Sequence, residues 1–163
     1  MTRNPERPTE FTVRLRLVAN DDLPTLYLNQ LDPDAVRMAV VNPRDAHSFD
    51  AHWAGILEDI TVTARAILAD EVVVGCISSF LADGQCSVGY WIAKEHWGRG
   101  IATRALALLL QEVKTRPLYA RVASHNMGSI RVLTRNGFTI KSYRMAPAND
   151  RYPACEEALL ELE

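Results

Sequence analysis

The chain lacks any apolar run long enough to span a bilayer, and its first residues, Met1-Thr2-Arg3-Asn4-Pro5-Glu6-Arg7-Pro8, are too polar for a secretory leader. Neither membrane insertion nor export is expected, and the cytoplasm is the expected compartment. Cysteine is scarce. Cys76, Cys86 and Cys155 form an odd set without metal-ligand spacing, so reduced, packed thiols are expected rather than disulfides, a zinc site or a Cys86 nucleophile, and no metal is implied. Repeats, linkers and low-complexity tracts are missing as well. Only Met1 to Glu10 and Ala146 to Pro153 are loosely patterned, and mobility is expected there. No Gly-Lys followed by Ser or Thr provides a P-loop, and no third glycine completes a dinucleotide turn. Nucleic acid is not an expected partner: the pI is near 6.1, and no basic run or clustered aromatic pair offers a base-stacking platform.

What is present suffices for one domain, residues 1–163. With 163 residues, 48% of them apolar, such a chain buries about two-thirds of its unfolded surface around a single core. Its formal charge of −2 is unevenly divided. From Lys94 to Arg144, ten Lys or Arg stand against Glu95 and Glu112 alone, whereas Asp21 to Asp59 is acidic, with Asp32, Asp34, Asp45, Asp50 and Glu58 among its residues. That acidic stretch reads first as a solvated helical surface and second as a hint of a cationic acceptor. Inside the basic stretch, His96-Trp97-Gly98-Arg99-Gly100-Ile101-Ala102-Thr103 sets two glycines one residue apart before a long apolar helix pattern. Glycines let the backbone turn sharply and approach a ligand, while the first amides of the following helix have no internal partners and sit at the positive end of its dipole. Such a turn either redirects the chain or holds phosphate. The surrounding positive charge suits a ligand with several phosphates.

Periodicity orders the rest. Thr12 to Val18 alternates as a strand, Asn20-Asp21-Asp22 caps a helix over Leu23 to Leu31, and Ser48 or Asp50 caps a second over Trp53 to Leu57. Thr61 to Ala69, Val72 to Leu81 and Cys86 to Ala93 are β-rich runs joined at Asp70-Glu71 and Asp83-Gly84-Gln85. They read as antiparallel hairpins, with Gly75 and Gly89 marking a bulge or the approach of another backbone. Ile101 to Lys114 is a helix ended by Pro117, and Leu118 to Ala123 is a strand. Ser124-His125-Asn126 caps a helix to Arg135 that Asn136-Gly137 stops, and Phe138 to Met145 and Glu157 to Leu162 are the last strands. The predicted fold is a mixed α/β (α+β) layer domain, a mostly antiparallel sheet of about seven strands flanked by about four helices, with the glycine turn after the central strand.

Val88-Gly89-Tyr90-Trp91-Ile92, the run Trp97 to Thr103, and Asn126, Ser129, Val132, Leu133 and Asn136-Gly137-Phe138 together resemble the GNAT superfamily of N-acetyltransferases over nearly the whole chain. The likeness is greatest to the branch that includes the ribosomal-protein N-terminal acetyltransferases. The superfamily motif, Gln or Arg, two residues, Gly, one residue, then Gly or Ala, falls on Trp97, Gly100 and Ala102, and an aromatic at the first position is frequent in that branch. The resemblance implies acetyl-CoA as co-substrate, with its pyrophosphate received by the amides of Gly98, Arg99, Gly100, Ile101, Ala102 and Thr103. Its pantetheine arm would enter where the strand carrying Trp91 and Ile92, the fourth, splays from the fifth. Asn126 would bind amides of that arm, beside its plain reading as a helix N-cap. Arg131 and Arg135 would meet the 3′-phosphate, beside their plain reading as solvated helix residues.

Acetyl transfer needs an uncharged amine, donors for the oxygen that becomes negative, and a proton for the departing sulfur. By resemblance, a backbone amide near Ile92 serves the oxygen. Many superfamily members protonate the sulfur with a Tyr, but Leu133 occupies that position, and the branch puts Ser129 in the role; a small residue there would alternatively let the cofactor approach closely. Ser87 stands where relatives often carry a strand Glu, leaving His125, Tyr90 or a water chain as base. An amine of low pKa relaxes that demand, because reaching pH 7 from ~10.4 costs a lysine ~4.6 kcal/mol and an α-amine near ~7.8 about 1 kcal/mol. The expected function is transfer of acetyl from acetyl-CoA to a primary amine, on a peptide N-terminus or a small molecule, by direct attack in a ternary complex, with the protein a monomer or homodimer. The alternatives are a CoA-binding sensor or accessory subunit without turnover, and a nucleotide binder that prefers ATP.

Overall fold

A computed structural model describes residues 11–163, so the Met1 to Glu10 segment lies outside the described residues. Seven strands form one sheet: β1 (Val13–Leu17), β2 (Thr63–Ala69), β3 (Val72–Ala82), β4 (Gln85–Ile92), β5 (Leu118–Ala123), β6 (Thr139–Ala146) and β7 (Cys155–Leu162). Their order is β1-β2-β3-β4-β5-β7-β6. Every neighbouring pair is antiparallel except β4 and β5, which are parallel and register only at Ser87 opposite Tyr119. The helices are α1 (Leu23–Asn29), α2 (Pro33–Ala39), α3 (Ala46–Glu58), α4 (Ile101–Glu112) and α5 (Met127–Arg135).

There are thus five α-helices among the described residues rather than about four. The additional one, α2, has a clear start: the Asp32 carboxylate accepts from the amides of Asp34 and Ala35, and Pro33 occupies the first helical position, where its missing N–H costs nothing. Helix α3 begins well before Trp53. Its cap is Asp45, which accepts from the Ser48 amide at 2.8 Å, so neither Ser48 nor Asp50 caps it.

Strand β2 explains how two helical layers share one sheet. Successive side chains point to opposite faces, and its last four residues are all buried. Ile67 packs with Ile77, Val88, Leu106, Leu109, Leu118, Leu133 and Leu160 under α4 and α5, whereas Ala66 and Leu68 pack with Leu26, Phe49 and Trp53 under α1 and α3.

The two strand glycines differ. The β2–β3 register shifts between Ile67 and Leu68, beside Gly75, and a Cβ on Gly75 would lie 2.0 Å from the Trp91 carbonyl oxygen. Gly75 therefore admits the β4 backbone. Gly89 sits in unbroken β3–β4 register, where an added Cβ would meet the Phe80 ring at 3.4 Å, so it marks no bulge. The Ala146 to Pro153 stretch is tied down. The Asn42 amide donates to the Arg151 carbonyl at 2.8 Å, Asn42 Nδ2 donates to the Asp150 carbonyl at 3.1 Å, and the Arg151 guanidinium donates to the Asn42 carbonyl. No helix among the described residues is long and apolar enough to cross a membrane. All three cysteines are free.

Candidate active site

Beyond the Ser87–Tyr119 pair, β4 and β5 part. The Ala93 amide donates to the Val74 carbonyl, and amide direction alternates along an antiparallel strand, so the peptide groups of Tyr90 and Ile92 turn away from β3 toward the parting. The Ile92 carbonyl accepts from the Trp97 indole at 2.8 Å. Its amide has no β5 partner. A cleft of about 600 Å³ opens here, with a recess of about 130 Å³ between β4 and β5.

The turn after β4 forms one wall. Gly98 and Gly100 both have φ of +74°, a left-handed conformation that a side chain resists, while an added Cβ at either would meet nothing within 4 Å. The glycines are needed for conformation rather than for room. Gly100 is the N-cap of α4 and its carbonyl accepts from the Arg104 amide, leaving the amides of Ile101, Ala102 and Thr103 without helical partners. With no side chain on Gly100 to cap them, they face a ligand or solvent.

Every residue that sequence reasoning placed on the cofactor lines this cleft: Trp91, Ile92, Trp97, the run Gly98 to Thr103, Asn126 and Arg131, together with Arg135 and the candidate Ser129. Three arginines, Arg99, Arg131 and Arg135, are among its lining residues and no carboxylate is. None of these arginines forms an ion pair among the described residues. Such a concave, uncompensated positive surface suits a polyanion.

Helix α5 supplies the opposite wall. Asn126 Oδ1 accepts from the Ser129 amide at 3.2 Å, the capping bond. Ser129 Oγ lies 2.6 Å from the Tyr90 hydroxyl, which also donates to the Ser129 carbonyl at 3.1 Å. Burial pushes the Tyr90 phenol up to about 12, and its bond to Ser129 offsets part of that. Burial thus disfavours the phenolate that a base role for Tyr90 would need. His125 is exposed and lines neither cavity, so it is not positioned as the base. Leu133 is fully buried core, and Ser87 is buried with its hydroxyl toward the Gln85 carbonyl at 3.5 Å.

Sequence reasoning missed the α2 wall, formed by Ala35, Met38 and Ala39, and the ring of His96, whose Nδ1 is buried without a partner. An ion pair of Lys94 with Asp34 holds α2 against the turn after β4, and Asp34 also pairs with Arg37. Other acids of the first third are likewise engaged: Asp22 with Arg16, Asp32 and Asp45 as caps, and Asp59 with Thr61. That stretch is largely consumed in holding the fold. Among the described residues no cluster of three His, Cys, Asp or Glu could hold a metal ion.

A seven-stranded mixed sheet parted between its two parallel strands, beside a helix whose first amides are free, defines the α/β class of the chain. The chain belongs to the acetyltransferase (GNAT) domain family, whose model matches residues 12–139. It is 35% identical over 78 residues to the probable N-acetyltransferase YjcK of Bacillus subtilis (strain 168), a match covering 43% of each chain, so it spans less than half of that relative. The fold superposes on an acetyltransferase from Salmonella typhimurium that modifies the N-terminal serine of ribosomal protein L7/L12, with a TM-score of 0.77, 17% identity, and 95% and 96% of the two chains covered. It also superposes on the spermidine N-acetyltransferase of Vibrio cholerae in complex with CoA and spermine, with a TM-score of 0.75, 16% identity, and 92% and 94% covered.

Proposed function

We propose that the chain, acting as one domain, transfers an acetyl group from acetyl-CoA to a primary amine by direct attack. The observation that carries this reading is the convergence in one cleft of the free amides of Ile101, Ala102 and Thr103, three unpaired arginines, and the unpartnered Ile92 amide. Family membership and the amine acetyltransferases that share the fold support it.

These residues fit the cofactor. The amides from Gly98 to Thr103 would hold its pyrophosphate, Arg131 and Arg135 its remaining phosphate, and Asn126 Nδ2 an amide of its arm. Bound acetyl-CoA supplies the activated acyl carbon as a thioester. The Ile92 amide is a fixed donor for the acyl oxygen, where charge develops, and costs little reorganisation. Ser129 Oγ, itself hydrogen-bonded to a phenol that stays protonated, stabilises the departing sulfur. A thiol near ~8.5 is a far stronger acid than this phenol, so Ser129 and Tyr90 act mainly by hydrogen bonding rather than by completed proton transfer.

Deprotonation of the amine sets the substrate preference. Among the described residues the cleft offers no carboxylate, and burial keeps the Tyr90 phenol protonated, which disfavours the phenolate that a base role would need. An α-amine that is partly neutral at pH 7, losing its proton to water, is the favoured acceptor. Monitoring free thiol in mixtures of the protein, acetyl-CoA and an amine panel tests this reading. Amine-dependent thiol release, faster with peptide α-amines than with lysine side chains, is expected. Tight CoA binding with no amine-dependent release would instead establish a sensor or accessory subunit.

A further inference from the structure

We propose that Arg44, Arg151 and His52 form an anion subsite at the acceptor side of the cleft, which takes a carboxylate carried by the amine substrate. This rests on the acetyl-transfer reading and names the class of amine it serves.

Arg44 lies in the α2–α3 connection, His52 on α3, and Arg151 in the β6–β7 connection. Two sets of bonds bring them together. Asn42 and Arg151 exchange backbone and guanidinium hydrogen bonds, which dock one connection on the other. The buried Gln30 side chain donates to the Arg44 carbonyl at 2.7 Å and accepts from its amide at 2.9 Å, which fixes the Arg44 backbone. The Arg44 guanidinium makes no hydrogen bond or ion pair among the described residues.

Cations gathered without an anion are costly, and here the cost is visible. Arg151 Nε is buried with no partner. Burial and then Arg44 hold the Arg151 guanidinium below its usual value, opposed by Tyr152, whose ring it overlies at 5.7 Å, and burial followed by Arg44 and Arg151 holds the His52 imidazole down to about 4. No carboxylate among the described residues forms an ion pair with Arg44 or Arg151: Asp45 accepts from the Ser48 amide as the α3 cap, and Asp150 gives its carbonyl to Asn42. Planar guanidinium groups with spare donors suit a carboxylate.

The cluster stands outside the residues that line the two cavities, at the end of the sheet where the cleft opens. The parallel strands β4 and β5 end where antiparallel β7 begins, with Ala123 opposite Glu157. The connection carrying Arg151 therefore lies at the end of the sheet where β4 and β5 part. It docks on Asn42, three residues beyond Ala39, which lines both cavities. Helices α1 and α3 cover the sheet face opposite α4 and α5, and α2 lines the cleft.

The test compares kcat/KM for matched amines with and without the carboxylate. In one arm, short peptides with Glu in the second position are set against the same peptides with Gln; in the other, free glutamate is set against free glutamine. In the wild type the carboxylate form should be favoured at least tenfold in one arm, which identifies the source, and Arg44→Gln should bring that ratio near one. Arg44 is the variant of choice because its side chain supports no contact of the fold, with Arg151→Gln as the second. Calorimetry of the same probes on the CoA-saturated protein gives a readout independent of turnover, and Arg44→Gln should weaken binding of the carboxylate form about tenfold. An absence of carboxylate preference in the wild type, or a preference that both variants retain, overturns the subsite. Loss of CoA binding in the wild type would overturn the acetyl-transfer reading instead, and the anion probes would then be titrated into the free protein.

Discussion

The Tyr90 hydroxyl lies 2.6 Å from the Ser129 hydroxyl, a contact between β4 and α5 that bridges the parted side of the sheet across 39 residues of sequence. Ser129→Ala removes the hydroxyl proposed to stabilise the departing sulfur and should lower kcat roughly 100-fold, the lower range for a positioned acid or donor. Steady-state kinetics at saturating acetyl-CoA checks this, with its KM expected to change little.

Tyr90→Phe acts through Ser129, freeing its rotamer, and should lower kcat about tenfold, less than the loss of Ser129 itself. Because burial pushes the Tyr90 phenol up to about 12, it stays protonated over the working range. The pH-rate profiles of wild type and Tyr90→Phe should therefore have the same shape between pH 6 and 10. A limb present only in the wild type would show that Tyr90 titrates during turnover.

Gly98 and Gly100 share a left-handed φ in open surroundings. Alanine at either meets no clash and costs only its conformation, about 1 kcal/mol. Thermal unfolding should show a drop of a few degrees for each variant, while calorimetry shows CoA affinity falling more than stability does, since the α4 amides are re-aimed.

Gly75→Ala should be far worse, because its Cβ would lie 2.0 Å from the rigid carbonyl of Trp91. Either β3 or β4 must shift. A loss of about 4 kcal/mol or more, measured by denaturant unfolding, is expected, with any folded material impaired in CoA binding because Ile92 moves with its strand.

The fold class and the local backbone chemistry of the candidate site were legible, whereas the long-range pairings were not. Gly98, Gly100, Asn126 and Ser129 are readable because each acts through local backbone chemistry: left-handed φ, free helix amides, a cap and the turn after it. Helix α2 was readable from Asp32 and Pro33, but with only seven residues and Ala35 alone fully buried it carries no apolar period. The insertion of β7 between β5 and β6, the Tyr90–Ser129 contact and the docking of Arg151 on Asn42 are long-range pairings that no local pattern encodes.

Acid should expose a different part of the fold. Asp22, 6% exposed, receives the Arg16 guanidinium at 2.7 and 2.8 Å and the Ala19 amide at 2.8 Å. The bond to Arg16 holds its carboxyl below the usual carboxylate range, with the Ala19 amide acting in the same direction and burial opposing both. Since folding lowers this pKa, the stabilisation is complete above about pH 4 and is lost as pH falls through the folded value. Asp22→Asn should cost about 3 kcal/mol at pH 7, and the gap to wild type should narrow below about pH 4 in urea unfolding curves.

Titrating CoA into the folded protein by calorimetry tests the central claim most directly. A saturating heat with one CoA per chain is expected, much weakened in Gly100→Ala and in the Arg131→Gln, Arg135→Gln double variant. No heat from protein whose circular dichroism shows native α/β content, or equal heat from all these variants, would contradict the assignment of this cleft.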